Sequence, residues 1–195
     1  MKKFTILILL FILMYGSINA QSQTQSYETL KKQAIEKVKQ GYIKDAITAL
    51  NQASQQRSND YEIYYYRAIA YYYQKQTDNA MADVDKSISL KKENPLAYVL
   101  RAKLHPYTQA QKYLADMDLA IKYDPNNAEY WYMRGIKKYN VVADYYDMNG
   151  QELVSKSQFA YTIDMCNDLA QAAKLDASLA EKANSYCERF ESFIR

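Results

Sequence analysis

Two cysteines, Cys166 and Cys187, are the residues whose type and spacing most directly suggest chemistry. They lie on two predicted helices joined by a turn near Asp176, and each is about ten residues from that turn. In an antiparallel helical hairpin the two would lie at the same height. In an oxidising compartment such a pair can form a disulfide if the Cα atoms come within ~7 Å. The alternative is two buried thiols that pack as small apolar side chains.

Other reactive side chains do not form a catalytic or metal-binding group in the sequence. His105 is the single histidine, and without a second histidine or a cluster of thiols no zinc site is expected. We interpret it as a surface residue of a loop. Asp83 and Asp85, like Asp116 and Asp118, are two residues apart. Because such residues point about 200° apart on a helix, we interpret them as the solvated side of two helices.

No catalytic constellation or phosphate-binding loop is recognisable, so we predict a protein that is not an enzyme and has no metal or other cofactor. The formal net charge is +3, and without Lys2 and Lys3 the chain has 23 bases against 22 acids. This balance gives no electrostatic reason to expect nucleic acid or an anionic membrane as a partner.

The first 20 residues have the pattern of a secretory signal peptide. Lys2 and Lys3 precede an apolar run from Phe4 to Tyr15, and Ala20 marks the expected cleavage point. The run is too short to span a bilayer comfortably, although an uncleaved anchor is the alternative. We therefore expect an exported protein, periplasmic or secreted, without stable membrane insertion after signal cleavage.

A repeated pattern organises the remaining chain. Few glycines and prolines interrupt its apolar-periodic segments, which indicates helices. A basic–small residue pair recurs after 34 and then 33 residues, each time three positions after an aromatic residue. The pairs are Arg67-Ala68, Arg101-Ala102 and Arg134-Gly135, preceded by Tyr64, Tyr98 and Trp131. A period near 34 residues indicates helix-turn-helix units that stack on one core.

With these residues the chain resembles tetratricopeptide repeat (TPR) proteins. The second repeat has Tyr64, Arg67-Ala68, Tyr71 and Ala80 at the family's pattern positions, and the fourth matches from Ala128 to Gly135. The resemblance implies an all-α fold, a right-handed α-solenoid of about four TPR helix-turn-helix units with a C-terminal capping helix. The start of the chain also resembles that of exported proteins of Gram-negative bacteria of the Bacteroidota kind.

The predicted organisation has four parts. They are a signal peptide (1–20), a flexible polar N-terminus (21–26), a TPR array (27–178, with repeats at about 27–60, 61–94, 95–127 and 128–178) and a capping helix (179–195). Eighteen extra residues near 141–160 predict that the helices of the fourth repeat form a long hairpin. Its apolar residues are either covered by the capping helix or dock a partner. They are Val141, Val142, Tyr145, Tyr146, Leu153, Val154 and Phe159.

The resemblance also implies a concave, tyrosine-rich groove lined by the first helix of each repeat. The residues at the inward-facing positions are Tyr65, Ile69, Tyr72, Tyr73, Lys103, Tyr132, Ile136, Tyr139 and Asn140. The neighbouring Tyr64 and Tyr71 fall on core positions. An aromatic groove suits a peptide or a helix, because tyrosine buries a large area and keeps a polar group.

These observations predict a protein-protein interaction module of the cell envelope that binds a peptide or partner segment in this groove. We expect an accessory part of a secretion or surface assembly, and the sequence leaves open whether the chain forms a homo-oligomer. The alternative is a glycan-binding helical-repeat protein that uses the tyrosines as a platform, with Asn140 as its main amide. Apolar or aromatic residues (Ile35, Tyr66, Leu96 and Leu100) replace the polar residues of the family's carboxylate clamp, so chaperone tails are not expected.

Overall fold

In the computed structural model the protein is described for residues 24–149 and 156–194, with side chains described for 24–141 and 162–188. The predicted signal peptide lies outside the described residues, and the side chains of six of the seven apolar residues of the long hairpin, all except Val141, lie outside the described side chains. Two compact units divide between Leu90 and Lys91. Every regular segment of the described residues is helical.

Among the described residues, the first unit contains four α-helices and the second contains five. In the first they are α1 (24–39), α2 (Ile43–Gln56), α3 (Tyr61–Tyr73) and α4 (Thr77–Leu90). In the second they are α5 (Pro95–Leu104), α6 (Ala110–Tyr123), α7 (Ala128–Asn149), α8 (Lys156–Leu175) and α9 (Ala180–Ile194). Within each unit, helices that follow one another pack together, as expected for stacked helical hairpins.

Small residues allow the paired helices to approach closely. Ala34, Ala46, Ala68 and Ala80 are completely buried. At Gly135 in α7, a Cβ atom would lie 2.9 Å from side-chain atoms of Leu169 in α8, closer than real side chains approach. Any other residue there would force the Leu169 side chain to shift, so glycine allows α7 to pack closely on α8.

A polar cluster around Asp60 joins α1 to the start of α3. Asp60 caps α3 by accepting a hydrogen bond from the N–H of Glu62 at 3.0 Å. It also accepts hydrogen bonds from the Tyr27 hydroxyl at 2.7 Å and the Lys31 ammonium at 2.8 Å. Burial alone would raise the pKa of Asp60, but these two donors hold it below its ordinary value. The cluster thus fixes where α3 begins.

A buried arginine–aspartate pair links the two helices of each of the last three repeats. Arg67 binds Asp83 at 2.6 and 2.7 Å, and Arg101 binds Asp116 at 2.6 Å. Asp83 and Asp116 are only 7% and 3% exposed. The prediction that they lie on a solvated side was wrong, because each one turns toward the arginine of its partner helix; Asp85 and Asp118 are exposed.

The fourth repeat has the same link, but more residues separate its two partners in the sequence. Arg134 binds Asp168 at 2.9 and 2.5 Å, and Lys138, one turn further along α7, binds the same carboxylate at 2.8 Å. The arginine and aspartate are 34 positions apart here, against 16 in the second repeat. α7 and α8 have 22 and 20 residues, whereas α3 and α4 have 13 and 14.

These arginines also reach the helix that precedes their repeat. Arg67 donates to Asn51 and Ser54 of α2, at 2.8 and 3.1 Å. Arg134 donates to Asp118 of α6 at 2.5 Å. Each of these two arginines therefore contacts three helices of its own unit.

His105 is part of the third repeat's link rather than a surface residue. Its Nε2 atom lies 3.0 Å from Asp116, and its ring is mostly buried. The prediction of an ordinary loop histidine was wrong because α5 ends at Leu104 and the next residue folds back onto α6. In the sequence, His105 follows Arg101 by four positions, as Lys138 follows Arg134.

Candidate partner-binding surfaces

The C-terminal end of α3 presents two exposed aromatic rings. Tyr72 and Tyr73 are 40% and 65% exposed, and their ring centroids lie 5.9 Å apart in an edge-to-face arrangement. We call these two residues the tyrosine pair. α3 ends there because Gln74 and Lys75 form a turn, with Lys75 at a positive φ of 59°. The pair therefore lies beside a helix end in the first unit.

The other predicted residues of α3 are less open. Tyr65 is half-buried, with its ring 5.2 Å from that of Tyr66. Ile69 is half-buried against a core formed by α1, α2 and α3. We call Tyr65, Ile69 and Tyr72 the aromatic face of α3. Its most exposed residue is Tyr72, which also belongs to the tyrosine pair.

Tyr64, assigned to the core by its position, makes contacts within the repeat. Its ring lies 5.4 Å from the guanidinium carbon of Arg67, and its hydroxyl donates to the carbonyl of Ser58 at 3.0 Å. Tyr98 and Trp131 lie at 5.5 and 4.9 Å from Arg101 and Arg134. The aromatic residue three positions before each arginine therefore stacks on it and helps to orient it.

The corresponding residues of α7 contact the chain's own last helix. We call Tyr132, Ile136 and Tyr139 the aromatic face of α7. All three pack against the core that α8 and α9 form, and the ring of Tyr186 in α9 lies 4.8 Å from that of Tyr139 in an edge-to-face arrangement. Burial, followed by the charge and hydrogen bond of Tyr186, raises the pKa of Tyr132. The positions predicted to receive a partner thus already have an intramolecular one.

The structure joins Cys166 of α8 to Cys187 of α9 in a disulfide. The Cα atoms are 5.8 Å apart, within the range for this bond. Both residues are half-buried and pack beside the aromatic face of α7. The bond therefore fastens α9 next to the residues that Tyr186 contacts.

The two remaining predicted residues stand apart from these groups. Lys103 is exposed on α5, and Asn140 is half-buried on α7.

A cation–aromatic cluster in the second unit was missed by the sequence analysis. The Lys137 ammonium lies 4.1 Å from the ring centroid of Tyr107 and 5.4 Å from that of Tyr113. Burial raises the pKa of Tyr113 to about 12. The visible signal was Tyr113 itself, a bulky residue where the repeat pattern has alanine.

Binding a metal ion and crossing a membrane each require a specific feature in the described part of the chain. No group of three or more His, Cys, Asp and Glu side chains there could hold a metal ion. Among the described helices, none has both the length and the apolar character needed to cross a membrane.

No family model and no curated protein matches the chain. Among solved structures, it is similar to a tetratricopeptide repeat protein from Parabacteroides merdae, with a TM-score of 0.66 and 18% identity. The match covers 86% of this chain and 61% of that one. The fold is that of a tetratricopeptide repeat protein.

Two other solved TPR structures are described with peptide sites. The first TPR of Spaghetti (RPAP3), bound to the HSP90 peptide SRMEEVD, matches with a TM-score of 0.56 and 21% identity over 60% of this chain and 94% of that one. YrrB, a TPR protein with an unusual peptide-binding site, matches with a TM-score of 0.53 and 15% identity over 80% and 90%. The all-α TPR fold predicted from the repeats is confirmed by these similarities.

The positions of the carboxylate clamp are occupied differently in this TPR fold. Tyr66 is half-buried against the core of the first unit, and Leu100 is buried in α5. Neither side chain carries the charged or amide group that grips a terminal carboxylate. A likeness to a TPR that binds an acidic peptide therefore does not extend to these side chains.

Proposed function

We propose that the chain is a non-enzymatic protein-interaction module that docks a segment of a partner protein on the tyrosine pair, beside Tyr65 and Ile69. The observation that carries the proposal is the exposure of Tyr72 and Tyr73 on one helix end. Tyrosine is enriched at the energetic centres of protein interfaces, because its ring is large and rigid and its hydroxyl keeps a hydrogen-bonding group.

The preferred ligand is a peptide segment with apolar side chains and free backbone polar groups. The rings of the pair would cover the apolar side chains, and the two hydroxyls would bond to the peptide backbone. A TPR fold supports this proposal, since two similar structures are described with a bound peptide or a peptide-binding site.

The proposed place of action is the cell envelope, where the chain would be an accessory part of a secretion or surface assembly. Support comes from the signal-like start, with Lys2 and Lys3 before an apolar run. Fractionation of the native host and mass measurement of the mature N-terminus test this. An intact Met1 in a cytoplasmic fraction would contradict it.

Site-specific photocrosslinking tests the docking surface. A benzoylphenylalanine at position 73 should crosslink to a partner of defined mass in an envelope fraction. The matched control carries the same group at Tyr42, which is 61% exposed in the turn before α2, against 65% for Tyr73. Equal crosslinking from both positions, or none from 73, would contradict the proposal. A product of twice the chain's mass would identify the partner as a second copy and reveal a homo-oligomer.

A further inference from the structure

The non-covalent contacts that hold α9 in place are few among its described side chains. In residues 180–188 only Ala183 is fully buried, and Ala180, Tyr186 and Cys187 are half-buried. The remaining polar residues face solvent: Glu181, Lys182, Asn184, Ser185 and Glu188. α8, by comparison, buries Met165, Leu169 and Ala172. Among the attachments of these described side chains, the disulfide is the one covalent link that retains α9.

What α9 covers is a copy of the aromatic face of α3. Both faces have the spacing Tyr-x3-Ile-x2-Tyr, in α3 from Tyr65 to Tyr72 and in α7 from Tyr132 to Tyr139. In α7, both tyrosines pack against the same core cluster as Tyr186, whose ring makes an edge-to-face contact with that of Tyr139. The aromatic face of α7 therefore has the shape and chemistry to receive a tyrosine presented by a helix.

We propose that α9 is a strap, retained over the aromatic face of α7 by the disulfide between Cys166 and Cys187, and that reduction opens this face to a helix of a partner. The incoming helix is amphipathic and carries the Ala-x2-Tyr spacing of Ala183 and Tyr186. The inference extends the proposed function, since it adds a second docking surface in the other unit, controlled by the redox state.

The opening step is a thiol–disulfide exchange with a dithiol reductant. A thiolate of the reductant attacks one sulfur of the bridge, and the other cysteine leaves as a thiolate that takes up a proton. The second thiol of the reductant then displaces the remaining cysteine and closes the reductant's own disulfide. Two electrons pass to the protein, which ends with two thiols. Neither cysteine residue is fully buried.

Amide hydrogen exchange on the full chain tests the retention. Closing a loop between residues 21 positions apart shifts an opening equilibrium by roughly 100-fold. We expect amides of α9 to exchange about 100-fold faster after reduction with dithiothreitol, with α5 and α6 unchanged. Unchanged exchange of α9 would overturn the proposal. Accelerated exchange throughout the second unit would also overturn it, because the bond would then be a staple of the whole unit.

A peptide probe tests the opened face. The receptor is the full chain with Cys187→Ser and Tyr186→Ala, which weakens the strap, and the probe is a labelled peptide of residues 180–194 with Cys187→Ser. Fluorescence anisotropy should show binding to this receptor and at least tenfold weaker binding to the oxidised wild type. Circular dichroism confirms that the receptor is folded.

Two controls decide the outcome. A probe that also carries Tyr186→Ala, or a receptor with Tyr132→Ala, should lose the binding at least tenfold. Equal binding of all probes would overturn the proposal. The photocrosslinking at position 73 does not involve α9, so a failure there would reject the docking role of α3 and leave these results unchanged.

Discussion

α3 and α7 carry the same aromatic face in different surroundings. In α3 the spacing Tyr-x3-Ile-x2-Tyr ends at the exposed tyrosine pair. In α7 the residues with the same spacing pack against the core that includes Ala183 of α9. The ring of Tyr186 in α9 contacts that of Tyr139. The shared spacing indicates that the position of a residue in its repeat determines which face of the helix carries it. Whether that side is open depends on a helix elsewhere in the chain.

The largest expected effect tests the link that positions the aromatic face of α7. Asp168→Ala leaves Arg134 and Lys138 without their shared buried carboxylate, and we expect a loss of about 3–5 kcal/mol in the free energy of unfolding. Urea denaturation measures it. The control is Asp164→Ala on the same helix, an exposed partner of Lys138, with an expected loss below about 1 kcal/mol. Equal losses would mean that the buried link does not position α7.

The next effect separates the two units. Cys187→Ser removes the disulfide, and for this loop length we expect the free energy that holds α9 in place within the second unit to fall by about 3 kcal/mol. The first unit should be unaffected, because Leu90 ends it before the bond's residues begin. Hydrogen exchange resolved by unit measures both. Destabilisation of α3 would show that the two aromatic faces are coupled.

A third substitution tests the close approach of α7 to α8. Gly135→Ala places a Cβ 2.9 Å from Leu169, and overpacking of this kind costs about 1–3 kcal/mol. Thermal unfolding measures the change. Leu169→Ala removes the side-chain atoms that the new Cβ would meet. The double variant should therefore lose less unfolding free energy than the sum of the losses of the two single variants. Strict additivity would contradict the contact.

The smallest effects compare the two faces directly. Tyr139→Ala removes an edge-to-face contact with Tyr186, and we expect about 1–2 kcal/mol of destabilisation. Tyr72→Ala should change the unfolding free energy by less than about 0.5 kcal/mol, because the residue is 40% exposed and lies at a helix end. The same denaturation measurement serves both. A larger effect of Tyr72→Ala would show that the tyrosine pair is part of the scaffold.

The period of the sequence was sufficient to predict the fold. The recurrence near 34 residues, with small residues at Ala68, Ala102 and Gly135, predicted stacked helical hairpins, and the structure has them. The small residues are informative because each one allows two helices to pack closely. Such a residue can be recognised in the sequence without knowing the structure.

The buried aspartates show where the sequence argument failed. Each helix was considered alone, so Asp83 and Asp116 were assigned to solvent, although an arginine precedes them by 16 and 15 positions. A pair formed across two helices leaves no periodic pattern in the sequence of either helix. The same pair of residue types does recur from one repeat to the next. Comparing Arg67 and Asp83 with Arg101 and Asp116 would have revealed it.

The covering of the aromatic face of α7 could not be predicted from the TPR pattern. α9 was expected to cap the array, and its stripe of Ala183 and Tyr186 was visible. Which face the stripe covers depends on how α9 packs in three dimensions. The repeat frame assigns Tyr132 a direction but does not include the helix that lies beside it.

The arginines that contact three helices have a consequence for how unfolding spreads. In a repeat protein, stability is the sum of a term for each repeat and a term for each boundary between neighbours. Arg67 contributes to both terms, since it binds Asp83 within its repeat and Asn51 of the preceding one. Arg134 does the same through Asp168 and Asp118. When one such repeat unfolds, its arginine stops contributing to the repeat and to the boundary together, so the neighbouring hairpin is destabilised too and the two unfold more cooperatively.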